Sequence, residues 1–387
     1  MQLKSDVVIV RYGEIALKSQ RTRNRYEHVL ISNIKKMLGL SSVDYSGVAR
    51  DQGRIFIHTT DKAAVDITAK VLGVVSVSPA ITTTSRLDDI TRLAARVGEQ
   101  IIKQGESFAI RARRAGVHKF TSIDIAQQCG DAVIEKVGDK HVYVNLSLPD
   151  KQIFVEVHQH NAYVYTEVVQ GMGGLPIGTQ GKMVALISGG IDSPVAAWLM
   201  MKRGCEIVFV YCNNEPFSDE SNRERTMECI KALQAWSPKK LKVYEAANGK
   251  NLEAFLDRCK KRLLCVLCRR MMYRIAGEIM KKEGAYGIIT GSSLGQVASQ
   301  TSQNMMTEIH TFNYPIYHPL IGLDKKEIIT IAQRIGTYEP SITPASSCSV
   351  VPDHPATAAK ISDVSEAEEN LNIKQMLQHT LEYMKKL

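Results

Sequence analysis

The segment 182–202, KMVALISGGIDSPVAAWLMMK, constrains the fold more than any other part of the chain. KMVALI is apolar after its first residue and reads as a buried strand. Ser188-Gly189-Gly190-Ile191-Asp192-Ser193-Pro194 follows it directly. Paired glycines let backbone N–H groups come close to a bound group. Ser193 suits a helix N-cap, and Pro194 suits the first helical position. A strand, a tight turn and a helix start in succession aim backbone N–H groups at an anion. Asp192 then sits where a carboxylate could share Mg²⁺ with phosphates. The Walker arrangement is excluded, because Gly181-Lys182 precedes the strand. An ordinary strand–turn–helix is the other reading of these residues.

The same alternation continues downstream. EIVFVYC (206–212), KVYEA (242–246) and YGIITG (286–291) read as strands. Helices are expected over 193–203, 219–235, 251–282 and 324–335. Short apolar strands alternating with helices predict an α/β domain with a parallel, doubly wound sheet. Ligands in such sheets sit at the carboxyl ends of the strands.

Upstream the order is different. Strands are expected over 6–12 and 54–58, helices over 20–39 and 61–72, and extended chain over 74–83. A helix over 86–104, a strand over 107–114, a helix over 122–137 and strands over 143–148 and 152–167 follow, the last turning near His160-Asn161. This is α+β. The glycine-rich stretch 171–181 reads as a linker. A chain of 387 residues holds two or three domains at ~100–200 residues each. The expected divisions are 1–60, 61–170, a linker at 171–181, and 182–387.

No apolar stretch approaches the ~18 residues of a membrane helix. Asp6 interrupts the apolar N-terminal run, so no secretory signal is read and a cytoplasmic location is expected. The eight cysteines are then thiols, metal ligands or catalytic groups, not structural disulfides. The net charge of +9 is concentrated locally. Residues 11–36 carry seven basic and two acidic side chains, 103–119 five and one, and 258–274 seven and none. Such clusters are either solvated helix faces or docking sites for a polyanion. Three of them favour RNA or DNA, with Arg21, Arg23, Arg25, Arg111, Arg113, Arg114 and Lys119 as the candidate contacts.

Ser-Gly-Gly-x-Asp-Ser at 188–193 resembles the PP-loop of ATP pyrophosphatases. The resemblance implies cleavage of ATP between the α- and β-phosphates, with adenine bordered by Leu186, Ile187, Tyr211 and Cys212. RYGEIALK (11–18), SFAIRARRAGVHKFTSIDIA (107–126), GGLPIGTQGK (173–182) and TGSSLGQVASQT (290–301) resemble the tRNA 4-thiouridine synthetase family, in the same order and over nearly the whole chain. That implies an N-terminal ferredoxin-like domain, a THUMP RNA-binding domain and a PP-loop domain. It also implies a reaction: ATP adenylates the C4 oxygen of uridine 8 in tRNA, and sulfur replaces it. By the same resemblance Gly291, Gln300 and Arg269 belong to the ATP site, and Lys325 serves catalysis. From residues alone, 290–301 could be a polar surface loop, and Lys325 a solvated lysine at a helix start.

Cys348 stands in a loop with four prolines, EPSITPASSCSVVPDHP (339–355). The family places a sulfur-carrying cysteine in this segment, and a persulfide there would be a good nucleophile. Cys265-Val-Leu-Cys268 with Cys348 could hold an iron–sulfur cluster with an open position. A redox pair, or two helix cysteines without a shared role, are equally open. The chain stops at Leu387, leaving no room for the C-terminal rhodanese domain of about 100 residues found in longer members. A thiamine role is then in doubt, and sulfur is expected from a cysteine desulfurase or as sulfide. The resemblance further implies a homodimer. Two other readings are a PP-loop ligase acting on a small molecule and a tRNA-binding protein without catalysis.

Overall fold

The computed structural model describes residues 3–346 and 348–387. Met1 and Gln2, at the head of the expected first domain, and Ser347, in the cysteine loop, lie outside the described residues. The chain divides into two units, Met1–Leu175 and Pro176–Leu387. Among the described residues no helix is long and apolar enough to cross a membrane.

The first unit runs β1 (Val7–Tyr12), α1 (Gln20–Leu40), β2 (Gly47–Asp51), β3 (Arg54–His58), α2 (Ala63–Ala69) and β4 (Val74–Thr84). It continues with α3 (Leu87–Ile101), β5 (Ser107–Arg114), α4 (Ser122–Val137), β6 (Tyr143–Val144), β7 (Lys151–Val157), β8 (Asn161–Tyr165) and β9 (Val169–Gln170). The strands form one sheet in the order β2-β3-β1-β4-β8-β7-β5-β6, with β9 on β4. The 11-residue β4 is shared: its first part pairs with β1 and its last four residues with β8.

Each half of this sheet has its own core. Val10, Leu30, Ile34, Ile57, Val65 and Val77 share one. Leu93, Phe108, Ile125, Val133, Ile153 and Val164 share the other. Helix α2 and the start of β4 therefore pack with the first core, and a division at 60/61 would part residues that are buried together. The change of core falls within β4, between Val77 and Ile81. β2 escaped sequence reading because it is a half-exposed edge strand with one apolar side chain of any size. The strand expected over 143–148 is only two residues long. Asn145 Oδ1 accepts the N–H groups of Ser147 and Leu148, and this local turn competes with the ladder.

The glycine-rich stretch 171–181 is anchored and not free. Gly171 and Gly173 donate to Val75 and Val74, and Leu175 is buried in the first core. Gly178 and Gln180 both donate to Gly204 of the second unit.

That unit contains β10 (Lys182–Ile187), α5 (Asp192–Lys202), β11 (Glu206–Asn213), α6 (Glu220–Gln234), β12 (Lys242–Ala247), α7 (Gly249–Arg258), α8 (Leu264–Glu283) and β13 (Ile288–Ile289). After these come α9 (Ser302–Ile309), β14 (Ile316–Tyr317), α10 (Lys325–Ile335), α11 (Tyr338–Ile342), α12 (Ile361–Glu369), α13 (Ile373–Glu382) and β15 (Lys385–Lys386). The sheet order is β14-β13-β10-β11-β12-β15, parallel except for β15. Val184, Val208 and Val210 pack with α8, while neighbouring residues on each strand point to the opposite face. The chain moves outward from β10 to β12, then returns to β13 on the other side of β10. That reversal opens a crevice at the carboxyl ends of β10 and β13, where doubly wound folds bind ligands.

The single helix expected over 251–282 is two. Cys259 and Lys260 are extended, and one 3₁₀ turn precedes α8. No proline or glycine marks the break. It is imposed by packing, which buries Phe255 on one side and Leu263 and Leu264 on the other. The polar loop expected after β13 also contains α9, capped by the Thr301 hydroxyl, which accepts from Asn304 N–H.

Candidate functional site

A cavity of about 290 Å³ opens at the crevice beside β10. Leu186, Ile187, Ser188, Gly189, Gly190, Asp192 and Ser193 line it from β10 and the turn into α5. Tyr211 and Cys212 line it from the end of β11. Arg269 comes from α8, Gly291 and Gln300 from the segment after β13, and Cys348 from the loop beyond α11. The structure thus gathers every residue expected at the nucleotide site into one cavity.

The turn is built differently from the N-cap reading. α5 begins at Asp192, its N-cap position is Ile191, and no side chain caps it. Ser193 lies inside the first turn. Its hydroxyl accepts the Ser188 N–H at 2.9 Å and lies 3.2 Å from the Ser188 carbonyl, to which it donates. The serine therefore closes the turn onto the helix and leaves the first helical N–H groups for another acceptor.

Asp192 and Lys325 form an ion pair, Nζ to Oδ1 at 2.7 Å. Asp192 Oδ2 accepts from Gln296 Nε2 at 2.8 Å. Lys325 is delivered by α10, whose N-cap Asp324 forms a capping box with Glu327. Among the described residues, Asp192 is the one carboxylate lining the cavity. A single carboxylate in such a cavity could hold Mg²⁺ once phosphates supply further oxygens. Gly291 passes so close to the start of α5 that an added Cβ would lie 2.7 Å from the Ser193 nitrogen.

Arg269 donates to Glu308 Oε2 at 3.2 Å and to Ser292 Oγ at 3.0 Å. Burial pushes the Glu308 carboxyl up to about 7 against the opposing pull of Arg269. Ser292 meets Thr290, which in turn meets His318 Nδ1 at 2.9 Å. Burial first, and then Arg269, lower the His318 pKa. Gln300 is buried and accepts from Ser293 N–H at 3.3 Å.

Cys348 also lines a neighbouring, mostly apolar cavity of about 220 Å³ with Cys265 and Cys268. All eight cysteines are free thiols. Burial raises the Cys265 thiol and pushes Cys268 up to about 12, against an Asn248 donor at 3.6 Å. Among the described residues, no group of three or more His, Cys, Asp or Glu side chains is drawn together to hold a metal. Cys265, Cys268 and Cys348 nevertheless line one cavity together.

The basic candidates of the first unit are split in their surroundings. Arg23 pairs with Glu27 at 2.8 Å and reaches the Tyr12 hydroxyl. Arg111 donates to Gln152 and to the Leu146 carbonyl, and Arg114 to the Gly116 carbonyl. Arg21, Arg25, Arg113 and Lys119 are exposed. Of the basic run at 258–274, Arg269, Arg270 and Arg274 are committed to Glu308 and Glu368. Sequence reasoning missed Asn222, Gln296, Ser292 and Glu308. Gln296 and Ser292 lie within the quoted 290–301 motif, whereas Asn222 and Glu308 carry no local signal.

The fold and the turn define a nucleotide-binding α/β domain of the PP-loop type. Residues 178–373 match the family described as Thiamine biosynthesis protein (ThiI), residues 7–78 the ThiI ferredoxin-like domain, and residues 84–167 the THUMP domain. A protein of Methanosarcina acetivorans named probable tRNA sulfurtransferase is 54% identical, covering 98% of this chain and 93% of its own. One of the same name from Methanobrevibacter smithii is 42% identical, over 96% and 97%. A crystal structure of a 4-thiouridine synthetase–RNA complex with bound ATP superposes with a TM-score of 0.89 at 30% identity, covering 99% of both chains. The chain belongs to the ThiI family of tRNA sulfurtransferases.

Proposed function

We propose that this protein uses ATP to replace the 4-oxygen of uridine 8 in tRNA with sulfur. The observation that carries the proposal is one cavity lined both by Asp192, which is ion-paired with Lys325, and by a thiol, Cys348. Adenine would lie against Leu186, Ile187, Tyr211 and Cys212. The phosphates would take the free N–H groups at the start of α5, with Asp192 holding Mg²⁺ beside them.

The chemistry then needs two displacements. The uridine O4 attacks the α-phosphorus, and pyrophosphate leaves with Lys325 balancing its charge. A persulfide on Cys348, loaded by a cysteine desulfurase or by another donor of sulfane sulfur, attacks C4 through its terminal sulfur and AMP leaves. Cys265 or Cys268 attacks the Cys348 sulfur of the resulting C4–S–S–Cys348 linkage. This releases 4-thiouridine and leaves a disulfide that a dithiol reductant resets. The adjoining cavity, which holds all three thiols, supports this order. The exposed Arg21, Arg25, Arg113 and Lys119 would bind tRNA phosphates.

The test is pyrophosphate release from ATP with and without tRNA. Release that requires tRNA is expected. Release that is indifferent to tRNA would favour a small-molecule ligase, and no release at all would favour a non-catalytic tRNA binder.

A further inference from the structure

The Cys348 loop is held by α6, whose Asn222 and Thr226 also line the nucleotide cavity. Asn222 Nδ2 donates to the Ser346 carbonyl and, at 3.3 Å, to Ser346 Oγ. The Asp219 N–H donates to Ser346 Oγ at 3.2 Å, and the Ser346 N–H to Ser221 Oγ at 3.3 Å. On the other side of Cys348, the Ser349 N–H donates to the Phe217 carbonyl at 2.9 Å.

Arg225, one turn further along α6, touches both machines. Its Nη1 donates to the Thr343 carbonyl at 3.2 Å and its Nη2 to Asn222 Oδ1 at 3.1 Å. Its stem lies flat on the phosphate turn. A Cβ at Gly189 would stand 2.6 Å from Arg225 Nε, 2.9 Å from Cγ and 3.1 Å from Cβ. The absent side chain at Gly189 is thus the space that Arg225 occupies. The Nε itself is buried without a hydrogen-bond partner among the described residues, so the guanidinium is placed by its two outer nitrogens. Arg225 is half-buried, and two bonds from a partly solvated guanidinium to neutral oxygens add little stability. They make sense if the position of those oxygens matters.

We infer that Arg225 is a positioning residue, a strut that sets the Cys348 loop against the Gly189 turn so that sulfur meets the carbon activated at the phosphates. The inference rests on the reading of Cys348 as the sulfur carrier. It predicts that the two half-reactions separate when the guanidinium is removed and the stem is kept.

Arg225→Met does this. Pyrophosphate release and melting temperature should stay close to the parent. Formation of 4-thiouridine should fall about 100-fold, the scale set by a misplacement of about 1 Å between reacting groups. Alkylation of Cys348 by iodoacetamide, read residue by residue by mass spectrometry, should accelerate, while that of Cys259 should not. Arg225→Lys, which can reach only one of the two acceptors, should recover part of the thiolation. Parent thiolation and parent alkylation in Arg225→Met would overturn the strut. So would a variant that loses pyrophosphate release and stability together, since the residue would then only hold the fold. Cys348→Ser, run in parallel, separates the two claims. If it still thiolates, the reading of Cys348 fails. If it does not, while Arg225→Met does, the strut alone fails.

Discussion

Gly291→Ala is the most exacting test of the nucleotide site. Gly291 follows β13 after Thr290 and lies against the first turn of α5. A Cβ there would stand 2.7 Å from Ser193 N, 2.8 Å from Ser193 Cα and 2.9 Å from the Asp192 carbonyl carbon. Ordinary contact begins at 3.4 Å, so the two elements must separate by about 0.7 Å. All three atoms are backbone, and no rotamer change can relieve them. Overpacking of this kind costs about 1–3 kcal/mol. Melting should fall by about 2–4 °C for each kcal/mol in a unit of this size. The displacement also moves the segment carrying Gln296 and Gln300 away from Asp192. A shift approaching 1 Å lowers a positioned reaction about 100-fold. The assay is tRNA-dependent pyrophosphate release, with tRNA affinity measured alongside and expected to hold. Gly322→Ala is the control, since nothing lies within 4 Å of its added Cβ. Parent rate and parent melting in Gly291→Ala would refute the close approach of β13 to the phosphate turn.

Asp192→Asn and Lys325→Met should each abolish pyrophosphate release while leaving tRNA affinity intact, and the double variant should lose little more than either single one, because the pair acts as a unit. Additive losses would contradict that. Glu156 is buried between Arg11, Arg54 and His158. Burial alone would raise its pKa, but the His158 bond and the two arginines hold it at about 2, below the ordinary 4.5. A depressed carboxyl contributes stability above its unfolded pKa and loses it as pH falls through the folded one, here between 4.5 and about 2. Glu156→Gln should therefore destabilise the first unit at neutral pH by about 3 kcal/mol at most, with the gap to the parent closing in acid. Denaturant unfolding followed by amide exchange checks both the size and the pH trend. Arg113→Gln and Lys119→Gln should each lower the salt dependence of tRNA binding by about one phosphate contact. Arg23→Gln should instead destabilise the Glu27 cluster, and a pure binding loss there would contradict its internal role.

Most of the second unit was legible because its signals are local. A buried strand, a glycine turn and a helix start occur together in 182–202, and the alternation that follows fixes a parallel sheet. The site residues could be named because most of them lie in short motifs. What was not legible depended on distant packing. The break between α7 and α8 has no breaker residue, and only burial of Phe255 and Leu263 on either side explains it. β2 carries no alternation, since an edge strand need not bury a face. The start of α5 was read two residues late because Ser193 looks like a cap. Its hydroxyl serves Ser188 instead, a contact five residues back that no propensity encodes. Asn222 and Arg225 look like ordinary polar residues of a helix until the loop from Thr343 to Ser349 is seen lying on them.

In the proposed function one chain both activates and thiolates uridine in tRNA. Its most direct measurement is the nucleoside composition of unmodified tRNA transcript after incubation with the protein, ATP, Mg²⁺, a cysteine desulfurase with cysteine, and dithiol. One 4-thiouridine per tRNA is expected, absent without ATP and absent when uridine 8 is replaced by cytidine. Tight tRNA binding and ATP turnover without any 4-thiouridine, or thiolation at another position, would contradict it.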